Sequence, residues 1–555
     1  MSAVAARSPV AAEDTRRLPS WWPLLALTLL AAVLRFATLG EQSFWYDEAF
    51  TPVHVLHSGI GATWRAYVHS ENTPPLWYAL AWIDFRIFGD GAIALRLPSA
   101  IAGVLSVPVV WALTLELAGG AIGVRPANAR PATAHPAAAS ASASASARRA
   151  AFLAAAIVAV DPLFVWYSQE ARAYALFVLF SALAMLCFAR LLNEPTRRRA
   201  IAFALSGALA LLSHYFAVFL LVPMALWLLW DMRTRRLVLP ALAAIAVVGL
   251  ALIPLISAQG GHGTQWIGHW ALSSRLQAIP QYFLTGYSGA PLGHGVELLV
   301  ALPLVAGAGL GAWRLMTRPP ERLRRAAWIA LSVAGFGVLA PIVLVGLGAD
   351  YLAPRNLVGA MIPLSVLIAV LFAAIDCPPR AGVDGAGGAR GLALPWIGAG
   401  LAAVALTALL IVSVDVDASP RLQRGNWRDL AHLLGRGGRA RAITTVELGA
   451  APLEYYLSPL RLHNLARDTR VSVSEIDETG YEPLRADAER APSPGFRFVE
   501  HREVDGLFVY RFVSSLPHFV SEFELRDHVI TLAHPEVLVP AGAQVSNAPS
   551  GAAVP

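Results

Sequence analysis

Residues 166–189 read WYSQEARAYALFVLFSALAMLCFA, a short polar turn that leads into an apolar run beginning near residue 173. A bilayer core about 30 Å thick needs roughly 20 apolar residues in a helix, and this run approaches that length. Comparable runs begin near residues 21, 96, 150, 200, 215, 237, 295, 326, 357 and 391. Together they predict an all-α polytopic membrane protein with about 11 transmembrane helices. Ser213, His214 and Tyr215 divide the runs near 200 and 215, and one long tilted helix is the alternative there.

The composition supports a membrane location for most of the chain. Of the 555 residues, 56% are hydrophobic and 14% are charged, whereas soluble proteins carry roughly 25% charged residues. The net charge of +6 is spread thinly along the chain, which does not indicate a nucleic-acid-binding protein. Cys187 and Cys377 are the only cysteines, so neither a disulfide framework nor a thiolate metal site is expected.

The distribution of arginine predicts which loops face the cytoplasm, because Arg-rich loops stay inside. Segment 74–88 (PPLWYALAWIDFRIF) is too short to span and carries Asp84 and Arg86, so it is predicted to be a helix lying in the outer interface. The Arg-rich segments then all fall inside, at 125–149, 197–199, 233–236 and 314–325. The outer segments are 40–95, 166–172, 258–294, 348–356 and the chain from about 415. Their aromatic residues, Trp266 among them, fit an interfacial belt.

Composition also divides the chain into predicted domains. The cytoplasmic N-terminal tail covers 1–20 and the transmembrane domain covers 21–414, with an Ala-, Ser- and Pro-rich disordered linker at 119–149. From 415 the chain becomes rich in acidic residues, and the alternating runs FRFVEH and GLFVYRFV indicate strands. A helix is expected from Asn426 to Leu434. Residues 415–540 are therefore predicted to form a small extracytoplasmic α/β domain, followed by a disordered tail at 541–555.

Candidate functional residues gather at the outer ends of the predicted spans, where ionisable groups near the bilayer indicate function. The first outer loop contributes the adjacent carboxylates Asp47 and Glu48, then Glu71, and then Arg96 where the second span begins. An Asp-Glu pair that caps a helix is the alternative interpretation of Asp47 and Glu48.

Three further outer segments carry candidate residues. Glu170 and Arg172 lie in a turn too short to be a free loop, and a structural ion pair between them is the alternative to a functional role. His214 and Tyr215 lie at another outer turn. Arg355 is isolated at the outer end of the tenth span and needs a negative partner, which a phosphate or Asp350 would supply.

In their order and spacing, these motifs resemble the family of integral membrane glycosyltransferases that includes the dolichyl-phosphate-mannose protein mannosyltransferases (glycosyltransferase family 39) and the aminoarabinose transferases. The resemblance runs through the segments WYDEAFT, NTPPLWYAL, ALRLPSAIAG, WYSQEARAYAL, SHYF, YLAPRN and NWRDLAHLL. It implies the GT-C architecture, a polyprenyl-phosphate sugar donor, and a reaction centre on the outer face of the cytoplasmic membrane.

The resemblance also implies roles for individual residues. Asp47, Glu48 and Glu170 become the candidate catalytic residues, and the residues expected to bind the donor phosphate or substrate are Arg355, Arg172, Tyr174, His214, Tyr215, Glu71 and Arg96. Asn356 stands where the family commonly has an aromatic residue, and Asp161 where many relatives have a small polar one.

The residue types fit sugar transfer by one carboxylate base, with cationic help for the phosphate that leaves. Asp47 and Glu170 are oxygen ligands that suit Mg²⁺ or Mn²⁺, but no metal signature is present, so the cofactor stays open. The acceptor, whether protein, glycolipid or polysaccharide, and the sugar, whether hexose or pentose, stay open too. A transporter or flippase of lipid-linked saccharides is the alternative function. A catalytically inactive scaffold is a third.

Overall fold

The computed structural model describes a bundle of helices joined to a C-terminal sheet. It describes residues 21–119, 136–260, 264–286, 293–317, 321–376, 396–435, 437–438, 440–528, 530 and 535–547. The predicted N-terminal tail at 1–20 lies outside these residues.

Seventeen of the described helices precede the sheet region. They are α1 Trp22–Phe36, α2 Tyr46–Phe50, α3 Ile60–Ser70, α4 Leu76–Phe88, α5 Ala92–Ala118, α6 Pro136–Val160, α7 Pro162–Ser168, α8 Tyr174–Asn193, α9 Arg197–Ser213, α10 Val218–Trp230, α11 Arg235–Gln259, α12 Gln265–His269, α13 Leu272–Thr285, α14 His294–Thr317, α15 Glu321–Gly346, α16 Met361–Ile375 and α17 Ile397–Ala418. A helix therefore lies at each of the apolar runs that the sequence singled out.

The described helices that are long and apolar enough to cross a membrane number seven, or eight if the bent pair α6 and α7 forms one span. Two further apolar helices, Trp22–Phe36 and Tyr215–Trp230, are shorter. The polytopic, mostly helical fold is thus confirmed, while the number of 11 spans is not. Helix α8 and the segment Pro354–Ile375 are the most buried of the candidate spans. In their most apolar 18-residue stretches, 78% and 83% of the residues are buried, so they lie at the centre of the bundle.

Breaks between helices place polar side chains at helix ends. Helices α6 and α7 meet at an angle of 54°, where Asp161 precedes Pro162 and accepts hydrogen bonds from the backbone N–H groups of Leu163 (3.0 Å) and Phe164 (3.4 Å). The extra charge at Asp161 therefore caps α7. Helices α9 and α10 are separated at His214, whose backbone is extended, so the alternative of one long helix is wrong.

The loop between α1 and α5 carries α2, α3 and α4. Helix α4 begins directly after Pro75, and its Trp77 and Tyr78 side chains are buried. Helix α4 packs against α5 and α9. The interfacial position predicted for segment 74–88 stays a prediction.

Two segments predicted to be disordered are partly regular. Helix α6 already begins at Pro136, within the predicted linker 119–149, because Ala is the strongest helix former and the segment is dominated by it. In the predicted tail, Val545–Asn547 forms a strand paired with Thr469–Val471. Residues 120–135 and 548–555 lie outside the described residues.

The C-terminal region contains a small sheet with short helices, which agrees with the predicted strands, while the domain bounds 415–540 stay a prediction. Its described strands are β1 Arg441–Val446, β2 His463–Asn464, β3 Thr469–Tyr481, β4 Arg497–Val504, β5 Leu507–Ser521, β6 Pro535–Val539 and β7 Val545–Asn547. The strand order is β2-β6-β1-β3-β5-β4, with β7 paired to β3. Its helices are α18 Trp427–Leu434, α19 Ala450–Tyr456 and α20 Glu522–Asp527. Asn426 caps α18 through a hydrogen bond from Asp429 N.

Candidate active site

A cavity of about 610 Å³ lies where the loop after α1, the ends of several helices and a turn of the sheet domain meet. Seven of the ten residues singled out in the sequence line it: Asp47, Glu71, Arg172, Tyr174, His214, Tyr215 and Arg355. The lining also includes apolar side chains, those of Phe216, Val218, Phe219, Ile256, Pro341 and Leu344. The cavity lining therefore combines charged groups with side chains that suit contact with hydrocarbon.

Asp47 and Arg355 meet at this cavity although they are far apart in sequence. Arg355 Nη1 donates to Asp47 Oδ2 at 2.8 Å, and the two side chains are 20% and 21% exposed. The guanidinium also lies over the Trp266 ring, 5.0 Å from its centre. Both charged groups are thus partly open to a ligand. Because Asp350 binds Arg275 through two hydrogen bonds of 2.5 and 2.7 Å, the alternative in which it pairs with Arg355 is wrong.

Arg172 supplies a second guanidinium. It pairs with Glu71, with Nη2 3.2 Å from Oε2 and Nη1 3.3 Å from Oε1. Its Nη1 also donates to the backbone carbonyl of Asp47 at 3.3 Å. The structural alternative that paired Arg172 with Glu170 is therefore wrong. Arg172 instead links Glu71, which directly follows α3, to the backbone of Asp47 on α2.

His214 presents an uncharged ring to the cavity. Burial, with help from the nearby cations Arg355 and Arg172, lowers the pKa of His214 to about 3. Its Nδ1 accepts a hydrogen bond from Phe216 N at 3.2 Å, and Phe177 stacks on the ring at 4.8 Å between centres. The neutral tautomer then carries its proton on Nε2, where it is a donor.

Two tyrosines complete the polar part of the lining. Tyr215 donates its hydroxyl hydrogen bond to Gln259 Oε1 at 2.8 Å. The ring of Tyr174 packs against that of Tyr167, with 4.5 Å between centres. Gln259, at the end of α11, also lines the cavity.

Glu48 and Arg96 are buried together and do not line the cavity. Arg96 donates to both carboxylate oxygens of Glu48, at 2.8 and 2.7 Å, and Ala171 N donates to Glu48 Oε1 at 2.8 Å. Burial by itself would raise the pKa of Glu48, but the guanidinium groups of Arg96 and Arg424 outweigh it and keep that pKa below its usual value. This geometry suits a structural anchor better than a base that reaches a substrate.

Glu170 is also fully buried and paired, with its Oε2 3.2 Å from Arg424 Nη2. Burial raises the pKa of Glu170 to about 7; Arg424 opposes this shift and the Glu48 carboxylate adds to it. Of the three carboxylates predicted to be catalytic, Asp47 is thus the one that lines the cavity. The catalytic roles of Glu48 and Glu170 stay predictions.

Arg424 and Trp266 were not recognised as site residues from the sequence. Arg424 lies two positions before the motif NWRDLAHLL, and this proximity is the one feature of the sequence that could have pointed to a role in the site. The sequence predicts Trp266 to be part of the interfacial belt, and its ring also lies against Arg355. Neither contact has a local sequence pattern.

Asp47 and Glu170 are also the residues that the sequence predicts as candidate metal ligands. Within the described parts of the chain, no group of three or more His, Cys, Asp or Glu side chains is arranged to hold an ion. Asp47 and Glu170 each already have an arginine partner. The cofactor prediction, which named Mg²⁺ or Mn²⁺ with these two residues, stays open.

Comparison with known proteins gives one family match. Residues 141–257 match the model of the dolichyl-phosphate-mannose-protein mannosyltransferase family. A search of curated protein sequences finds no significant match. The family match confirms the predicted resemblance and the predicted enzyme class, glycosyltransferase.

Solved structures similar to this chain include ArnT from Cupriavidus metallidurans bound to undecaprenyl phosphate, with 11% identity over 89% of this chain and 98% of that one and a TM-score of 0.49. The oligosaccharyltransferase of Archaeoglobus fulgidus has 14% identity over 78% of this chain and 57% of that one, with a TM-score of 0.43. The mycobacterial arabinofuranosyltransferase AftD has 16% identity over 94% and 42% of the two chains, with a TM-score of 0.41.

Proposed function

We propose that this chain transfers a sugar from a polyprenyl-phosphate donor to an acceptor hydroxyl at the outer face of the cytoplasmic membrane. The observation that carries the proposal is the pairing of Asp47 with Arg355 in a cavity whose lining also includes apolar side chains. The ion pair offers a base and a cation, and the apolar side chains of the lining offer contacts for an isoprenoid chain.

The donor phosphate would bind at Arg355. A guanidinium offers two parallel hydrogen bonds to phosphate oxygens, and Arg355 faces the cavity with part of its side chain accessible. His214 Nε2–H and Arg172 are further donors in the same cavity lining. The isoprenoid chain would then run along the apolar side chains of Phe216, Phe219 and Leu344.

Asp47 would act as the general base. An acceptor hydroxyl gives its proton to the Asp47 carboxylate as its oxygen attacks the anomeric carbon. The glycosidic bond to the phosphate breaks, and the phosphate leaves with its bonding electrons while Arg355 and Arg172 compensate its charge. A polyprenyl phosphate leaves as an anion without being protonated, so one carboxylate suffices. A single displacement of this kind inverts the anomeric configuration.

The first prediction concerns the donor. Purified protein incubated with a panel of radiolabelled polyprenyl-phosphate sugars is expected to release undecaprenyl phosphate from at least one donor when membrane extract supplies the acceptor. The measurement is label transferred to acceptor, with heat-denatured protein as the blank. Tight donor binding without any transfer across the panel would contradict the enzymatic proposal and favour a transporter.

The second prediction concerns sidedness. The Arg-rich segments motivate a cytoplasmic position for residues 125–149 and an external one for the sheet domain. After Cys187 and Cys377 are replaced by Ala, a single Cys is introduced at Ser142 or at Ser458, which is exposed. A membrane-impermeant thiol reagent added to intact cells is expected to label position 458 and not position 142. The reverse pattern would invert the topology and move the proposed reaction to the cytoplasmic face.

A further inference from the structure

A buried arginine joins the sheet domain's connecting segment to the transmembrane domain. Arg424 follows α17, and its side chain has no exposed surface. Its Nη1 donates to Gln42 Oε1 at 2.8 Å, and its Nη2 donates to Trp166 O at 3.1 Å and Glu170 Oε2 at 3.2 Å. The guanidinium also lies 4.1 Å from the centre of the Trp166 ring. A buried guanidinium is strongly destabilising without a carboxylate partner, and a buried carboxylate is destabilising without its cation.

The same guanidinium faces the carboxylate next to the proposed base. Arg424 Nε is 3.7 Å from Glu48 Oε2, so Glu48 lies between Arg424 and Arg96, each with a buried side chain. Asp47 and Glu48 are consecutive on α2, a helix of five residues, and consecutive helical side chains point about 100° apart. Fixing Glu48 in the interior therefore directs Asp47 toward the cavity.

The backbone on both sides of Arg424 adds to this attachment. Ser43 Oγ donates to Gly425 O at 2.8 Å, and Trp427 N donates to Ser43 Oγ at 3.0 Å. Phe44 N donates to the Tyr456 hydroxyl at 2.7 Å. The residues directly before α2 are thus held by the connecting segment and by α19, and a helix as short as α2 depends on such contacts for its orientation.

We propose that Arg424 is a positioning residue for sugar transfer: by holding Glu48 and Glu170 from the sheet-domain side, it orients the acidic helix α2 so that Asp47 faces Arg355 and the donor. This inference rests on the proposed function for its catalytic consequence. Its structural content, the dependence of α2 on Arg424, is independent of which sugar is moved. It gives the C-terminal domain's connecting segment a direct part in assembling the membrane site.

The test compares Arg424→Gln with three variants. Arg424→Lys keeps the positive charge but lacks the planar set of N–H donors that a guanidinium provides. Arg424→Gln combined with Glu170→Gln removes a buried cation and a buried anion together, so that the variant avoids an uncompensated carboxylate. Arg428→Gln is the matched control, because this arginine lies four residues further on and donates to the backbone carbonyls of Gly40 (3.1 Å) and Gln42 (3.3 Å).

Two measurements do not require a known sugar. Hydrogen exchange of residues 44–50 reports the order of α2, and the dissociation constant of undecaprenyl phosphate reports the phosphate site. We expect exchange in 44–50 to accelerate at least tenfold in Arg424→Gln and in the double variant, and less in Arg428→Gln. Undecaprenyl phosphate affinity should stay within about threefold of wild type, because Arg355 and Arg172, the proposed phosphate donors, lie outside α2. Where a donor has been identified, turnover of Arg424→Gln should fall at least tenfold, and the double variant should recover melting temperature but not the slow exchange of residues 44–50.

Unchanged exchange in residues 44–50 of Arg424→Gln would overturn the positioning role, whatever the donor assay shows. A double variant that regains wild-type exchange and turnover together with its melting temperature would also overturn it, since Arg424 would then only balance buried charge. Absence of transfer from every donor in wild-type protein, with the exchange result as expected, would instead count against the proposed function and leave the positioning of α2 intact.

Discussion

Replacement of Asp47 by Asn is expected to reduce sugar-transfer turnover by about 10²–10⁴-fold, the range that general-base catalysis contributes. The amide is nearly isosteric and cannot accept the acceptor proton. The carboxylate faces the cavity and its Arg355 partner 2.8 Å away, so the substitution removes the base without opening a hole in the protein. Melting temperature should remain near that of the wild type, because Asp47 is 21% exposed and such ion pairs contribute little to stability.

The affinity for undecaprenyl phosphate separates this role from others. In Asp47→Asn the Asp47 carboxylate no longer competes with the phosphate for Arg355, so this variant should bind the lipid phosphate as tightly as the wild type or more tightly. Glu48→Gln is the comparison for stability: because Glu48 is buried against Arg96, this variant should lower the melting temperature, whereas Asp47→Asn should not. Substantial turnover in Asp47→Asn would refute the base assignment. Glu71, the other carboxylate of the transmembrane domain that lines the cavity, would then be tested next.

Arg355→Ala is expected to weaken undecaprenyl phosphate binding by roughly 10- to 150-fold, since hydrogen bonds to charged groups contribute about 1.5–3 kcal/mol. Turnover should fall as well, because negative charge on the phosphate grows as the glycosidic bond breaks and a cation there stabilises the transition state more than the ground state. Arg355→Lys should lie between alanine and wild type, because an ammonium group is a point charge without the guanidinium fork.

The control for Arg355 is Asp350→Asn. Asp350 pairs with Arg275, whose Nη1 also donates to Leu352 O at 3.0 Å, so this substitution should loosen the segment that leads to Arg355 and lower the melting temperature. Its effect on lipid-phosphate affinity should be several-fold smaller than that of Arg355→Ala. If Arg355→Ala binds undecaprenyl phosphate as tightly as the wild type, and both variants have a lowered melting temperature, Arg355 does not bind the donor phosphate.

The helices could be predicted from the sequence because each needs only a local signal. An apolar run of about 20 residues has one stable arrangement in a bilayer, and the polar stretch at His214 marked a helix break that the structure confirms. The start of α6 was missed because an Ala- and Ser-rich segment satisfies both the pattern of a linker and that of a helix. Such a segment carries no apolar face to decide between them.

The ion pairs could not be predicted in the same way. Asp47 and Arg355 were each recognised, but a bond between residues 308 positions apart follows from packing and not from spacing. The same holds for Glu170, whose partner Arg424 is 254 positions away, while the nearby Arg172 turned to Glu71. In a crowded set of charges, sequence distance is a poor guide to pairing because the bundle brings many candidates within reach.

The buried imidazole of His214 has a consequence for the charge of the cavity lining. Histidine ordinarily gains a positive charge as its environment becomes mildly acidic. An anion-binding surface that contained such a histidine would therefore bind anions with higher affinity in acid. With a pKa of about 3, His214 stays neutral there, and the arginines keep their charge at every biological pH. The His214 ring is therefore an N–H donor whose charge does not change in mild acid, so any response of the cavity to acid must come from other groups, such as Glu170 with its pKa of about 7.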